Sequence, residues 1–317
     1  MKTAQLFWIG VGAIYGIAMR LLFGHAFYLF GANVVSMAFM FGAPFAIGGI
    51  VIYGLRHTRP SIGKMIFAPW LAILLALIGS ALTLLEGSVC IVLASPLFFG
   101  VSSIGGLIMG LVLRWSNKGT TTLRTILLLP VILTMTEPAA PRHPQWLEER
   151  VSIEVAASPH RIWGEILNAQ DIRGEEMPVN FMHWIGVPRP VEGVNIVTPE
   201  GEVRYSKWEH GINFSALVTE RILDRKITWR YRFTPDSFPD GSLDEHVKIG
   251  GQYFDLYDTT FNLVPASPTL TRLEIVSHYR VTTSLNFYGV PIARLIAHDF
   301  MSTILGLYKL RSERGMN

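Results

Sequence analysis

The chain has 317 residues, half of them apolar, with 16% charged residues and a formal net charge of +3. An ordinary soluble protein is about 25% charged, and here the charge is split unevenly. Residues 1–140 hold eight basic and two acidic side chains, net +6, and the remainder is net −3. The basic surplus is therefore an orientation signal of the apolar half and excludes a nucleic-acid footprint, while a single cysteine, Cys90, excludes an intrachain disulfide and a CxxC-type metal site.

Crossing a hydrocarbon core takes about 20 apolar residues, and residues 6–23, 34–55, 65–85 and 91–113 supply them four times. A fifth segment, 120–136, is near the minimum length, with Arg124 near its start and Pro130 in its middle. It either spans or lies in the interface. The first segment lacks a small-residue cleavage pattern and is followed by further spans, so it reads as an uncleaved helix. The loops RHTRPSIGK and RWSNKGTTTLR are basic, whereas GHAFYLFGA and EGSVC carry no Lys or Arg. Basic loops stay cytoplasmic, which places the N-terminus inside. Five spans put everything after Glu137 outside; four leave it in the cytoplasm. The charge asymmetry through Arg124 favours five, and a bacterial inner-membrane location with an extracytoplasmic C-terminal part. Arg20 is expected to snorkel to the interface, Glu86 to be solvated, and the small-residue run SSIGGLIMG to pack helices closely. No intramembrane carboxylate series and no symmetric pair of broken helices points to a transporter.

EPAAPRHPQWLEER reads as a stiff, Pro-rich connector, giving three parts: a transmembrane helical domain over 1–136, a linker over 137–149 and a soluble domain over 150–315. The soluble part opens with VSIEVAASPHRIWGEIL, residues 151–167. Val151, Ile153 and Val155 alternate with polar residues as in a half-buried strand. Ser158 and Pro159 fit an N-cap and first helical position, and Ile162, Trp163, Ile166 and Leu167 share one helical face. EVRYSKWEH, INFSALVTERI, KITWRYRF, YFDLYDTTFNLV and TLTRLEIVSHYRV follow as strands of an antiparallel meander. In KITWRYRF, Ile227, Trp229, Tyr231 and Phe233 face one way. A long amphipathic helix over 284–313 ends the chain, with Gly315 as its stop.

This opening stretch and element order resemble the SRPBCC superfamily, the helix-grip fold of START lipid-transfer domains, Bet v 1-like proteins and polyketide cyclases. The resemblance covers residues 150–315; the multi-span half resembles a bacterial membrane-anchored variety. It implies an α+β domain in which a curved antiparallel sheet grips a long helix around a cavity for a hydrophobic ligand. Trp184, Trp229, Tyr231, Tyr257, Tyr279 and Phe300 are expected to bound that cavity. FMHWIGVPRP, with Phe181, His183 and Trp184, is expected to roof its mouth. In LDEHVKIGG, Asp244 and His246 are expected to shape or gate the mouth, since neighbours on a Gly-flanked loop make a poor catalytic dyad.

The histidines form no HExxH or comparable ligand spacing. No GxSxG, Walker or GxGxxG motif is present in the right setting. No metal, cofactor or nucleic acid is expected; the expected partners are a lipid or other hydrophobic small molecule and the bilayer. Three readings stay open: a binding protein for transfer or sensing, a cyclase- or hydratase-like enzyme using Asp244, His246, His183 or Arg280, and a structural partner of an envelope complex.

Overall fold

The structure is a computed structural model that describes residues 2–26, 34–116, 118–137, 143–177 and 180–314. Residues 138–142 of the linker, much of the first Lys/Arg-free loop and the stop at Gly315 lie outside these residues. The chain divides into two compact units, residues 1–143 with 283–285, and residues 144–282 with 286–317.

In the first unit each of the five apolar segments is helical. α1 (Lys2–Leu21) runs on as a π-helical turn, Leu22–Ala26; a second π-helical turn, Ala38–Gly42, leads into α2 (Ala43–Gly54). α3 (Ile62–Leu82), α4 (Ser88–Trp115) and α5 (Gly119–Thr136) follow. Thr3–His25, α3 and α4 are long and apolar enough to cross a membrane, whereas Ala38–Gly54 and Gly119–Met135 are shorter. Small residues let the helices touch. A Cβ on Gly48 would overlap the Ser102 carbonyl of α4, and one on Gly105 the Phe45 carbonyl of α2, the close approach expected of SSIGGLIMG. Met65, Ala72, Ile73 and Met109 fill the core, while Leu6, Phe7, Ile14, Leu74, Ile78 and Ile104 point outward and stay exposed. The unit is apolar outside as well as inside, as helices that could span a membrane are.

Arg20 does not snorkel. Its Nε donates to Glu86 Oε1, its Nη2 donates to the Leu85 carbonyl, and both side chains are largely buried. Burying either charge alone costs several kcal/mol, so each is held by the other.

The second unit is an eight-stranded, wholly antiparallel sheet with one long helix. Its strands are β1 (Gln145–Val155), β2 (Asn168–Ala169), β3 (Pro190–Thr198), β4 (Gly201–Trp208), β5 (Asn213–Ile222), β6 (Lys226–Arg232), β7 (Phe254–Ser267) and β8 (Leu270–Val281). They run in the order β1-β8-β7-β6-β5-β4-β3-β2, so the first strand pairs with the last. β1 begins at Gln145, inside the segment expected to be linker, because QWLEER already alternates and pairs with β8 out to Val281. β3 was not expected, and its reason for forming lies in its partners on both sides. Bulges in β5 between Val218 and Glu220 and in β7 between Leu256 and Asp258 add local twist and bend, and the sheet curls.

α6 (Pro159–Leu167) follows β1 as expected and buries Ile162, Trp163 and Ile166. Ser158 occupies the N-cap with extended backbone, but its hydroxyl makes no cap bond. α8 (Asn286–Glu313) is the gripping helix. Met301, Leu305 and Tyr308 enter one core with Val155, Ile162, Ile166, Phe261 and Ile275. At about 1.5–3 kcal/mol per buried large side chain, this contact holds the helix on the sheet. α8 is also long and apolar enough to cross a membrane, yet it carries Arg294, His298, Asp299, Lys309 and Arg311 and its apolar face is taken by the sheet. All of its buried side chains lie from Met301 onward; its first half has none.

Candidate ligand-binding face

Successive strand residues point to opposite faces, so the residues in phase with Phe261 and Ile275 face α8. On β6, β7 and β8 these include Trp229, Thr259 and Ser277, directly opposite one another, with Tyr231 and Tyr279 one pleat away. The Thr259 and Ser277 hydroxyls are buried and 2.8 Å apart. Tyr231 sits beside Thr259; burial pushes its pKa up and the Thr259 hydrogen bond offsets part of that. Trp229 is 2% exposed and Tyr279 1% exposed, yet among the described residues Trp229 Nε1 and the Tyr279 hydroxyl have no hydrogen-bond partner. Burial pushes the Tyr279 pKa up to about 12.

Arg204 of β4 lies on the same face and is 7% exposed. Its Nη1 donates to the Ile166 carbonyl (2.7 Å) and to Asn195 Oδ1 (3.1 Å), its Nη2 donates to the Tyr308 hydroxyl (3.2 Å), and the guanidinium carbon lies 4.3 Å from the Trp229 ring centroid. Ala216, opposite Arg204 on β5, is too small to bar that reach. Gly193 of β3 is equally necessary, since a Cβ there would overlap the guanidinium.

An aromatic wall continues from Tyr231. Its ring stacks on Phe233 at 5.9 Å, Phe214 lies against both, and Trp208 links Phe214 to Phe300 of α8 at 5.5 and 5.3 Å. At the β1 edge, Glu149 meets Arg294 (3.5 Å) and His298 (3.2 Å) of α8.

α7 (Phe181–Trp184) is a single turn capped by Asn180, whose Oδ1 accepts from the His183 backbone N–H. Asp299 of α8 accepts from the Met182 N–H at 2.8 Å, which ties the turn to the helix. The His183 ring bonds the Val187 carbonyl through Nδ1 at 2.9 Å, so Nδ1 carries the hydrogen. Its buried Nε2 has no partner among the described residues, and burial lowers its pKa.

The expected site residues therefore separate. Trp229, Tyr231 and Tyr279 lie on the face toward α8, and Phe300 joins their aromatic wall. Trp184 is 74% exposed and Phe181 37%, so this pair projects from α7 instead of bounding an interior. Tyr257 and Arg280 are on the opposite face of the sheet. The β7 bulge turns Tyr257 outward, where it meets Trp146 at 5.9 Å. Arg280 donates to the carbonyls of Gly251 and Gln252 and braces the loop that carries Asp244 and His246. Asp244 and His246 are both part-buried there, with the His246 ring 6.0 Å from Tyr253.

On the outer face an open groove is lined by Trp146, Leu147, Glu148, Tyr257, Asp258 and His278. His278 bridges Asp258 (2.6 Å) and Glu148 (3.2 Å), and these carboxylates raise its pKa, Asp258 foremost. Among the described residues no group of three or more His, Cys, Asp or Glu side chains is placed to hold a metal ion. Arg204, Trp208 and Phe214 were not among the expected site residues. Phe214 is legible as an in-phase aromatic of its strand, whereas Arg204 and Trp208 share the face of β4 that runs against the hydropathy of EVRYSKW.

No family model and no curated protein matches the chain. Solved structures do. A START superfamily protein from Mycobacterium smegmatis is 14% identical, with a TM-score of 0.37 over 53% of this chain and 97% of that one. Zhui aromatase/cyclase from Streptomyces sp. R1128 is 12% identical, TM-score 0.35, over 55% and 97%. Truncated norcoclaurine synthase from Thalictrum flavum is 12% identical, TM-score 0.32, over 55% and 96%. With identities and TM-scores this low, these are likenesses only, and the fold is read from the elements themselves. A strand and helix, a curled antiparallel meander closed by pairing β1 with β8, and a long C-terminal helix on its inner face make the second unit a helix-grip fold, similar to START-superfamily and aromatase/cyclase structures.

Proposed function

We propose that the second unit binds a hydrophobic or amphipathic small molecule between the sheet and the first half of α8, and that the first unit anchors it in a bacterial inner membrane for transfer or sensing. The observation that carries this reading is the pair of unsatisfied groups, Trp229 Nε1 and the Tyr279 hydroxyl, on one apolar face. A buried polar group left unpaired costs about 1–3 kcal/mol; a bound molecule supplies the missing partners. The aromatic wall from Tyr231 to Phe300 offers the apolar contact, and the absence of buried side chains in the first half of α8 leaves the sheet less tightly covered there. Asp244 and His246 shape the loop at one border of this face, and Phe181 and Trp184 project from another.

The test is native mass spectrometry with lipid analysis of the full chain purified into nanodiscs. A reproducible, stoichiometric apolar molecule is expected. An empty protein that also takes up no added apolar probe would refute the reading. A second reading, a cyclase- or hydratase-like enzyme, rests on the His183 ring, whose tautomer is fixed by the Val187 carbonyl and whose Nε2 lone pair is uncommitted. Chemical conversion of the copurified molecule, lost in His183→Gln while binding persists, would decide for it.

A further inference from the structure

The face toward α8 holds a guanidinium and an unpaired indole N–H with no carboxylate among the described residues free to meet them, and the imbalance describes its ligand. A guanidinium has five N–H groups, and Arg204 gives three hydrogen bonds, all to neutral oxygens. Among the described residues no carboxylate pairs with it. The nearest acid in its network is Glu202, reached only through Asn195, and Glu202 is itself paired with Arg221 at 2.5 Å. Glu149, the acid on the β1 side of the face, is committed to Arg294 and His298. The Ile166 carbonyl belongs to the last turn of α6, so Arg204 caps that helix. A helix terminus offsets at most about half an elementary charge and the Trp229 ring adds a cation–π attraction, but no anionic partner among the described residues meets the buried guanidinium. Trp229 adds a donor that has no acceptor capacity at all, and Tyr279 adds a free hydroxyl.

Resting on the apolar-ligand reading above, we propose that the ligand carries an anionic oxyacid head, a carboxylate or phosphate on an apolar body. The head faces the Arg204–Trp229 end of the sheet and the apolar body runs along the aromatic wall. Charge-assisted bonds to a guanidinium are about twice as strong as neutral ones, and this guanidinium is held in place before any ligand arrives by the Trp229 ring, the Tyr308 hydroxyl and the space that Gly193 leaves open. A cationic amphiphile finds no free carboxylate here among the described residues. A neutral alcohol satisfies an orphan donor but leaves the charge unmet.

The test uses the full chain in nanodiscs of zwitterionic lipid, with dodecanoate, dodecyl phosphate and dodecanol displacing a fluorescent polyene fatty acid, and empty discs subtracted. At least one anionic probe is expected to bind ten-fold or more tighter than dodecanol, and whichever anion wins separates a carboxylate head from a phosphate head. In Arg204→Gln that preference falls to threefold or less; an undiminished preference in a folded variant would overturn the role of Arg204. Gly193→Ala, which crowds the guanidinium without removing it, lowers the preference partway and stands in if Arg204→Gln does not fold. Dodecanol binding as tightly as both anions in the wild-type chain would overturn the anionic head and leave the apolar-ligand reading intact. No displacement by any of the three, with no binding of the polyene acid, overturns that reading and this inference with it.

Discussion

Tyr279 hides its hydroxyl without a partner, and a phenylalanine keeps the ring contact with Phe254 at 5.6 Å while removing the unpaired group. Tyr279→Phe is therefore expected to leave thermal stability unchanged or to raise it by about 1 kcal/mol, and to weaken binding of apolar probes. A loss of stability above 1 kcal/mol would show that the hydroxyl is satisfied and has no role in ligand capture. Ile166 gives the contrasting case. It is wholly buried among Ile162, Leu305 and Phe261, and Ile166→Ala is expected to cost about 2–5 kcal/mol, read as a lower melting temperature. The apolar members of the face, Trp229 and Tyr231, were legible because KITWRYRF alternates cleanly. Arg204 was not: Val203 and Arg204 are both buried while Tyr205 is 43% exposed, so hydropathy marks the wrong face as the inner one. What places the arginine inside is local, the Ile166 carbonyl, Asn195, and the missing side chain at Gly193, none of which a periodicity along β4 contains.

At the level of elements, β1 is fixed to β8 and β7 on the outer face by the His278 bridge, with Arg150 sharing Glu148. The folded pKa of His278 lies above its ordinary 6.5. The stabilisation is therefore complete below about 6.5 and is lost as pH rises through the folded value; Glu148 is ionised in both states over that window. A melting series from pH 6 to pH 9 is expected to show this decline in the wild-type chain and a flatter profile in His278→Gln. The end of α8 is held differently. Glu176, 6% exposed, accepts from Arg311 (2.7 Å) and Arg314 (2.5 Å). Burial alone would raise its pKa, but the two arginines and the Arg173 N–H bring it down to about 2. The contribution is present above the ordinary 4.5 and lost as pH falls toward 2. Glu176→Gln is expected to cost on the order of 2–4 kcal/mol, seen as faster amide exchange in the last turns of α8. α6 and α8 could be read from their apolar stripes and β6 from its alternation. β3 could not: Pro190, Gly193 and an irregular burial pattern resemble a loop, and pairing with β2 and β4 on its two sides makes it a strand.

For the whole molecule, an alternation of basic and Lys/Arg-free loops supports an extracytoplasmic second unit. A C-terminal alkaline phosphatase fusion is expected to be active, and a C-terminal green fluorescent protein fusion dark when exported unfolded; the reverse pattern would assign the fifth helix to the interface. The pairing of β1 with β8 also dictates an order of events during synthesis. Gln145 must wait for Val281 and Val155 for Thr271, and among the described residues β1 has no other strand beside it. At 5–20 residues per second the strand spends roughly ten seconds as an unpaired edge with its alternate apolar side chains bare. Long-range closure of this kind also folds slowly. A chain of this design thus emerges with a sticky segment long before its mate appears, and its yield in a cell depends on a holding chaperone as much as on the stability of the finished fold.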